Sequence, residues 1–181
     1  IDRGCGIFQD CPMIMLITGG IKAGKSSRAL RVAREEWPFP ISFIATAQGT
    51  DAEMTLRIQR HREERTRLGG EEGFVTIEEP VELGEALSRA GPYAVVDCIP
   101  MWVNNLMYHQ READFSRILG AFIRGLRRNC IVVTNETGMG NVPFDETTRR
   151  YNMLLAEANR KIAEASDRVE LMVSGIPLRI K

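Results

Sequence analysis

The 181-residue sequence has few of the features that would place a protein in a membrane or on nucleic acid. No apolar run approaches the about 20 residues that a membrane-spanning helix needs. The segment Ile1–Pro12 has no apolar core of the kind found in signal peptides. Lys plus Arg and Asp plus Glu both total 24. This balance argues against nucleic acid as a partner, because domains that bind it are usually basic.

Cysteine patterns of known function are also missing. The four cysteines form no C-x-x-C pair, and no Cys/His cluster has the spacing of a zinc site. Cys98 and Cys130 lie in apolar runs and are predicted to be buried thiols. Cys5 and Cys11 precede the first predicted strand, where only their spacing would support a disulfide. We therefore expect a protein of the reducing cytosol.

The apolar residues instead alternate between strand-like and helix-like patterns, which predicts one α/β domain with a mostly parallel sheet flanked by helices. The predicted strands are Met13–Thr18, Ile41–Ala45, Phe74–Ile77, Ala94–Asp97, Cys130–Thr134, Val169–Val173 and Leu178–Ile180. The long predicted helices are Ser26–Trp37, Asp51–Arg67, Val81–Ala90, Phe115–Arg127 and Glu146–Ala165. We expect an irregular arm over residues 1–12 and a single nucleotide-binding domain over residues 13–181.

The stretch Gly19–Ser26, GGIKAGKS, fits the phosphate-binding pattern G-x-x-x-x-G-K-[ST]. It lies between a predicted strand and a predicted helix, an arrangement that points backbone N–H groups at a polyphosphate. Lys25 is expected to reach the β- and γ-phosphates, and Ser26 to hold Mg²⁺. These features predict the fold of P-loop nucleoside triphosphatases. A glycine-rich helix cap, the alternative, would not need Lys and Ser at these positions.

Two further predicted strands end in polar residues. Asp97 ends one of them, and an aspartate at this place in P-loop proteins helps to hold Mg²⁺. The alternative for Asp97 is a cap on the following turn. The other strand precedes Asn135–Gly140, which is placed to line the site because ligand loops follow the carboxyl ends of parallel strands. The alternative for this loop is a plain turn built by Asn and two glycines.

Histidine occurs only at His61 and His109. His61 lies in the predicted helix Asp51–Arg67, near one face with Met54 and Ile58. The dense charge of this helix is typical of a solvated surface with one exposed histidine. A nucleophilic imidazole is the alternative, because the arginines at positions 57, 60, 62 and 65 would neutralise phosphate charge. Spacing does not decide between the two. His109 is predicted to be a surface residue or a cation at a helix C-terminus.

Taken in order, these segments resemble the bifunctional adenosylcobinamide kinase/adenosylcobinamide-phosphate guanylyltransferase family of cobalamin biosynthesis. The similarity runs from Met13 to Lys181. The matching pieces are TGG…GKS at 18–26, IATAQ at 44–48, D…EM…RI…HR at 51–62, EEP at 78–80, DC at 97–98, WVNNL at 102–106, TNETGMG at 134–140, VP at 142–143 and VSGIP at 173–177. The A-T-A-Q…R-I-x-x-H and T-N-E-x-G-x-G pieces together are far more specific than a P-loop alone.

The resemblance implies two reactions, whose substrates are GTP, ATP and a corrinoid. The first transfers a γ-phosphoryl group from ATP or GTP to the hydroxyl of the aminopropanol arm of adenosylcobinamide. The second takes GMP from GTP through a covalent guanylyl-histidine and passes it to the phosphorylated corrinoid, giving adenosyl-GDP-cobinamide. The resemblance also implies Mg²⁺ and a homotrimer with sites between subunits.

The resemblance transfers a set of site residues to this chain. His61 matches the nucleophile, and Lys25 acts with it on the phosphates. Ser26 and Asp97 would hold Mg²⁺ through the nucleotide phosphates. The positions that match nucleotide contacts of the family are Gly19, Gly20, Ile21, Lys22, Ala23, Gly24, Lys25, Ser26, Ala45, Thr46, Ala47, Arg62, Glu63, Glu64, Arg65, Glu78 and Asp97.

Several positions depart from the family pattern. Ala23 replaces a serine of the P-loop, which removes a hydroxyl and keeps the backbone cradle. Asn152 and Met153 replace an Arg-Asp pair, and Ala156 replaces a glycine. If that pair contacts the acceptor, the kinase step or the acceptor specificity changes. None of these departures touches Lys25 or His61, so guanylylation is the safer expectation.

Two other functions remain open. A plain P-loop kinase for a small molecule would need the P-loop and Asp97 but not His61. A nucleotide-dependent switch would have N-K-x-D for guanine and D-x-x-G after the Asp97 strand. This chain has TNE at 134–136 and DCIP at 97–100 instead.

Overall fold

The computed structural model of the protein describes residues 13–70, 73–126 and 129–181. The predicted arm at residues 1–12, with Cys5 and Cys11, lies outside the described residues. The strands are β1 (Ile14–Gly19), β2 (Ile41–Ala45), β3 (Phe74–Glu78), β4 (Ala94–Asp97), β5 (Cys130–Val133), β6 (Arg168–Val173) and β7 (Ile176–Arg179). The helices are α1 (Lys25–Glu36), α2 (Ala52–Gly69), α3 (Leu83–Arg89), α4 (Ile99–Tyr108), α5 (Phe115–Gly125) and α6 (Glu146–Ala165).

The strands form one sheet in the order β3-β2-β4-β5-β1-β6-β7. Strands β1 to β6 pair in parallel, and β7 pairs antiparallel with β6. The mostly parallel α/β architecture predicted from the sequence is therefore confirmed. Met15, Leu16 and Ile17 of β1 are all buried. A central parallel strand is covered on both faces, which explains why β1 is a continuous apolar run.

Two apolar cores lie on opposite faces of the sheet. Leu30 and Ala33 of α1 pack with Met15 and Ile17 on one face. Helices α3 to α6 cover the other face, where Trp102 and Phe122 are among the largest fully buried side chains. Helix α2 is the exception, because Arg65 is the only buried residue among those described for it.

The helical connections run to opposite sides of the sheet from β1 and its neighbour β5. Helix α1 leads from β1 to β2, which lies beyond β5 and β4 on one side. Helix α6 leads from β5 to β6, on the other side of β1. The carboxyl ends of β1 and β5 therefore lie at a topological switch point, where open α/β sheets bind their ligands.

Some predicted boundaries differ from the structure. Helix α3 begins at Leu83 instead of Val81, because the Glu79 carboxylate accepts hydrogen bonds from the backbone N–H groups of Val81 and Glu82 and forms a turn there. Helix α5 ends at Gly125, and Arg127 lies outside the described residues. The last strand was predicted over Leu178–Ile180 and begins earlier. Strand β7 begins at Ile176, and Ser174 and Gly175 make the turn with φ values of 50° and 85°.

Candidate active site

The loop at the carboxyl end of β1 has the backbone of a phosphate cradle. Gly24, the residue before α1, has a φ of 86°, and Lys22 has a φ of 58°. Gly19 is required by close packing, because a Cβ atom there would lie 2.5 Å from the Met172 carbonyl oxygen. Gly24 has no side chain with which to cap the first turn of α1. The N–H groups of that turn are therefore available to an anion.

Lys25 lies at the start of α1 and is buried. Its Nζ donates a hydrogen bond to the Gly20 carbonyl oxygen at 2.6 Å, so the side chain folds back over the loop. Burial lowers the pKa of Lys25, the nearby Cys98 and Asp97 oppose that shift, and Arg57 adds to it. A phosphate oxygen could replace the carbonyl as the acceptor, which is the role of the lysine in P-loops.

A cavity opens beside this loop, between α2 and the carboxyl ends of β2 and β4. It brings together residues from the P-loop helix, α2 and three strand ends. Its polar and ionisable lining is Ser26, Arg57, His61, Arg62, Arg65, Glu78 and Asp97. Its other lining residues are Phe43, Ala45, Ala47, Met54, Ile58, Cys98 and Met101. We call this cavity the α2 cavity.

Arg65 is a buried cation at the α2 cavity. Its guanidinium carbon lies 4.0 Å from the centroid of the Phe43 ring, a cation–π contact. It donates hydrogen bonds to the His61 carbonyl oxygen at 3.2 Å and to Thr76 Oγ1 at 3.3 Å. Burial lowers the pKa of Arg65, and Asp97 partly offsets that effect. The side chain is fixed in place by these contacts and still lines the cavity.

Three other arginines of α2 differ in whether their side chains reach the α2 cavity. Arg57 lines the α2 cavity and makes no ion pair with any of the described residues. Arg62 also lines it and forms an ion pair with Glu78. Arg60 is exposed and does not contribute to the lining. If His61 is a nucleophile, the sequence predicts that all three and Arg65 neutralise phosphate charge, although Arg57 is not among the positions that match nucleotide contacts of the family.

His61 lines the α2 cavity together with Ser26 and Asp97. Its side chain is 37% exposed, and Nδ1 lies 3.9 Å from Glu64 Oε2. The structure therefore places this histidine next to the P-loop helix and not on an isolated solvated surface. The second histidine, His109, is the C-cap of α4, is exposed, and lies with Nε2 2.9 Å from Gln48 Oε1.

Asp97 reaches the α2 cavity although its strand is not next to β1, because β5 lies between β4 and β1. The loop after β5 is the direct neighbour of the P-loop: Glu136 N–H donates to the Gly19 carbonyl oxygen at 3.1 Å. Asn159 of α6 supports that loop through Thr134 Oγ1 at 2.6 Å and the Asn135 carbonyl oxygen at 2.8 Å. The loop is thus a turn that is held by hydrogen bonds from Asn159 and that lies against the P-loop.

Outside the P-loop, three of the transferred positions do not line the α2 cavity with their side chains. Thr46 is buried, and its hydroxyl bonds both the N–H and the carbonyl of Cys98 at 2.8 Å. Glu63 is exposed and accepts a hydrogen bond from Gln59 at 3.0 Å. Glu64 accepts one from Ser27 at 2.8 Å.

The lining includes six residues that were absent from the transferred set: Phe43, Met54, Arg57, Ile58, Cys98 and Met101. Met54, Arg57, Ile58, His61 and Arg65 follow the i, i+3, i+4 spacing of one helix face. That spacing was the available signal for the three on α2. Phe43 and Met101 come from other elements and gave no signal in the sequence.

Mg²⁺ is compatible with the side chains present. Ser26 and Asp97 supply a hydroxyl and a carboxylate at the same cavity. Among the described residues, no group of three or more His, Cys, Asp or Glu side chains could hold a metal ion. Phosphate oxygens and water would therefore provide most of the ligands, as is usual for Mg²⁺ in phosphoryl-transfer sites.

The fold and the cradle at β1 define a P-loop protein of the α/β class. Comparison with known proteins gives the particular family. The family described as "Cobinamide kinase / cobinamide phosphate guanyltransferase" matches residues 15–180, and the chain belongs to it. The bifunctional adenosylcobalamin biosynthesis protein CobP of Pseudomonas aeruginosa is 38% identical over 172 residues, which cover 92% of this chain and 96% of that protein.

The bifunctional adenosylcobalamin biosynthesis protein CobU of Escherichia coli K12 is 31% identical, over 93% of this chain and all of that protein. Among solved structures, the flagellar accessory protein FlaH of Methanocaldococcus jannaschii has a TM-score of 0.52 at 11% identity, over 97% of this chain and 85% of that one. This last likeness concerns the fold alone. In the part of the chain that the structure describes, no helix is long and apolar enough to span a bilayer.

Proposed function

We propose that this chain phosphorylates the hydroxyl of adenosylcobinamide with ATP or GTP and then transfers GMP from GTP to the resulting phosphate, through a guanylyl group on His61. One observation is the main support: His61, Ser26 and Asp97 line a single cavity beside the P-loop. A plain kinase has no use for an imidazole at that place. Family membership supports the same pair of reactions.

The cavity contains two side chains that form covalent intermediates in other enzymes, Cys98 and His61. Burial raises the pKa of Cys98 to about 12, and Asp97 acts in the same direction. The thiol is therefore neutral near pH 7 and a poor nucleophile. The His61 side chain is 37% exposed, and a neutral imidazole can attack without first losing a proton. Of these two side chains, the imidazole is therefore the better nucleophile.

The first half-reaction forms a bond between an imidazole nitrogen and the α-phosphorus of GTP and breaks the bond from that phosphorus to the β-phosphate oxygen. The electron pair leaves with pyrophosphate. Lys25 and the arginines of the α2 cavity would offset the charge on the transition state and on the leaving group. Bound Mg²⁺, held by Ser26, Asp97 and phosphate oxygens, would supply further charge neutralisation.

The histidine–phosphorus bond is high in energy, so the GMP group can pass to the corrinoid phosphate in the second half-reaction. The same P-loop would present the γ-phosphate of ATP or GTP in the kinase reaction. Asn152 and the 72%-exposed Met153 lie on α6, where the family pattern has an Arg-Asp pair. We expect this difference to alter handling of the acceptor and to leave guanylylation of the protein unchanged.

We also propose, from the family resemblance alone, a homotrimer in the reducing cytosol. Light scattering on the purified protein would measure a mass of three chains. A monomeric mass with full activity would contradict sites between subunits.

The test of the covalent step uses GTP labelled at the α-phosphate, Mg²⁺ and the purified protein. We expect acid-labile, base-stable label on the protein from α-labelled GTP and none from γ-labelled GTP. His61→Ala should lose this label. His109→Ala is the matched control, because the only other histidine is exposed and caps α4, and it should retain the label.

Transfer of γ-label to cobinamide, measured with the same His61→Ala protein, separates the two activities. Retained phosphorylation together with lost guanylylation is the expected pattern. Absence of α-label on a folded wild-type protein that phosphorylates cobinamide would leave a plain kinase and remove the covalent mechanism.

A further inference from the structure

The Glu64 carboxylate lies between the P-loop helix and the candidate nucleophile. Ser27 Oγ, in the first turn of α1, donates a hydrogen bond to Glu64 Oε1 at 2.8 Å. The second oxygen, Oε2, lies 3.9 Å from His61 Nδ1, one helical turn back along α2. Glu64 is partly buried, with 26% of its side chain exposed. Its two oxygens therefore link α1 to the part of α2 that contains His61.

The position of Ser27 connects Glu64 to the phosphate site. Ser27 follows Ser26 directly, so it belongs to the turn whose N–H groups face the phosphate site. Helix α2 is otherwise lightly packed, since Arg65 is its only buried residue among those described. A hydrogen bond from α1 to Glu64 thus restrains the part of α2 that contains His61.

The chemistry of imidazole makes the position of the carboxylate important. In a neutral histidine one ring nitrogen has a proton and the other has the free electron pair. The nitrogen that attacks phosphorus must be the one with the electron pair. A carboxylate beside Nδ1 favours the proton on Nδ1 and leaves Nε2 free, as the carboxylate partners of other functional histidines do. Such contacts are often long before the substrate binds.

We propose that Glu64 is a positioning residue that holds His61 in its Nδ1–H tautomer and fixes the imidazole relative to the P-loop helix through Ser27. This inference depends on the proposed function, because it assigns a role to a neighbour of the proposed nucleophile. It differs from the role transferred by family resemblance, in which Glu64 contacts the nucleotide.

The proton balance of the step agrees with this role. Nε2 attacks the α-phosphorus of GTP, the Nε2–P bond forms, and pyrophosphate leaves with the electron pair of the broken P–O bond. The proton stays on Nδ1, so the guanylylated ring is a cation. The Glu64 carboxylate offsets that charge. When GMP passes to the acceptor, the Nε2–P bond breaks, and His61 returns to the neutral Nδ1–H form without exchange of a proton.

The test measures two quantities on the full chain: the single-turnover rate of guanylylation from α-labelled GTP, and the tautomer of His61 from the ¹⁵N chemical shifts of its ring. Only two histidines contribute signals, and His109 serves as the internal reference. The variants are Glu64→Ala, Glu64→Gln and Ser27→Ala. Glu53→Ala is the matched control, because Glu53 is an exposed carboxylate on the same helix that does not line the α2 cavity.

We expect Glu64→Ala to lower the guanylylation rate by about 10- to 100-fold, by analogy with the loss of a hydrogen-bond partner of a metal-binding histidine. The Nδ1–H share of His61 should fall at the same time. Glu64→Gln, which can still accept from Ser27, should show an intermediate loss. Ser27→Ala should change both quantities in the same direction but less. Glu53→Ala should match the wild type in both.

Two results would overturn the proposal. One is a wild-type rate and a wild-type tautomer in Glu64→Ala. The other is a reduced rate with an unchanged Nδ1–H share, which would mean that Glu64 only supports the structure of α2. A wild-type protein that takes no α-label would instead remove the proposed function, and the tautomer measurement would still report on Glu64.

Discussion

Arg57 lines the α2 cavity, and Lys25 lies near it in the adjoining P-loop, so two cations are close together. Burial is the main cause that lowers the pKa of Lys25, and the charge of Arg57 acts in the same direction, whereas Cys98 and Asp97 act to raise it. Arg57 forms no ion pair with the described residues. Two like charges without enough counter-charge are typical of a site that binds an anion. The phosphate chain of GTP would complete this site.

At the scale of single residues, we predict that Arg57→Ala lowers guanylylation from GTP by about 100-fold, because one donor to the developing charge is lost. The reverse reaction, in which pyrophosphate releases GTP from the guanylylated protein, should fall equally. Transfer of GMP to the acceptor should change much less, since pyrophosphate is absent from that step. Quench-flow measurement of each half-reaction gives the three rates.

Arg60→Ala is the control for Arg57, since it removes the same charge from the same helix at a position outside the cavity lining. Its rates should stay near those of the wild type. Equal losses in both variants would mean that the overall positive charge of α2 matters and that the direction of Arg57 does not.

At the scale of elements, α2 has a hydrogen-bonded N-cap but few buried side chains among those described. Asp51 is its N-cap and accepts a hydrogen bond from the Met54 N–H at 2.7 Å. Helix α6 has an equivalent N-cap in Asp145, which accepts from the Thr148 N–H at 2.7 Å. Helix α6 also buries Leu155, Ala158 and Ile162, whereas the single buried residue described for α2 is Arg65.

We predict that Asp51→Ala reduces the free energy of unfolding by about 1 kcal/mol, the usual loss for an N-cap. Asp145→Ala should also destabilise the protein. Only Asp51→Ala should also lower guanylylation and speed hydrogen exchange in α2, because the lightly packed helix bears His61. Urea unfolding and amide exchange measure these effects. Faster exchange confined to the first turn of α2, with a normal guanylylation rate, would contradict the link between the cap and the site.

At the scale of the whole molecule, a buried ion pair joins α1 to β6. Glu170 is 2% exposed and accepts two hydrogen bonds from Arg28, each at 3.0 Å. Arg168 also donates to it. Burial acts to raise the pKa of Glu170, but the hydrogen bonds from Arg28 and Arg168 outweigh it, so the pKa lies below its ordinary value. The pair holds the P-loop helix against the strand beside β1.

The sign of the resulting pH dependence follows from that lowered pKa. Glu170 stabilises the fold above the pKa of an unfolded glutamate, about 4.3. Its contribution is lost as the pH falls through the still lower pKa of the folded state. We predict that Glu170→Gln reduces the free energy of unfolding by about 2 kcal/mol at pH 7, the usual scale for hydrogen bonds to charged groups. The difference between the variant and the wild type should be smaller at pH 3 than at pH 7.

Urea unfolding at the two pH values measures this difference. Glu157→Gln is the control, because Glu157 pairs with Lys161 on the exposed surface of α6, where such pairs contribute about 0.3–0.5 kcal/mol. A constant gap between Glu170→Gln and the wild type at both pH values would mean that the charge of Glu170 has no part in the stabilisation.

Much of the fold followed from local patterns. The bounds of β2, β4 and α6 agree with the predictions from apolar periodicity, and the P-loop was recognisable because its eight residues are contiguous and its function needs specific residue types in order. The burial of Cys130 also followed from its apolar neighbours. The ends of α3 and β7 were wrong, because the Glu79 turn and the Ser174–Gly175 turn override the local pattern.

The sequence by itself therefore determined the class of the fold, the phosphate cradle and the residue types from which a site could be built. Only the tertiary structure decided that α2 folds over the ends of β2 and β4, so that His61 lines the same cavity as Ser26. It also decided that Arg57 faces that cavity while Arg60 does not, and that the Thr46 hydroxyl bonds Cys98. The physical reason is separation along the chain: these contacts join residues about 35 to 50 positions apart, and their geometry depends on packing that local periodicity does not specify.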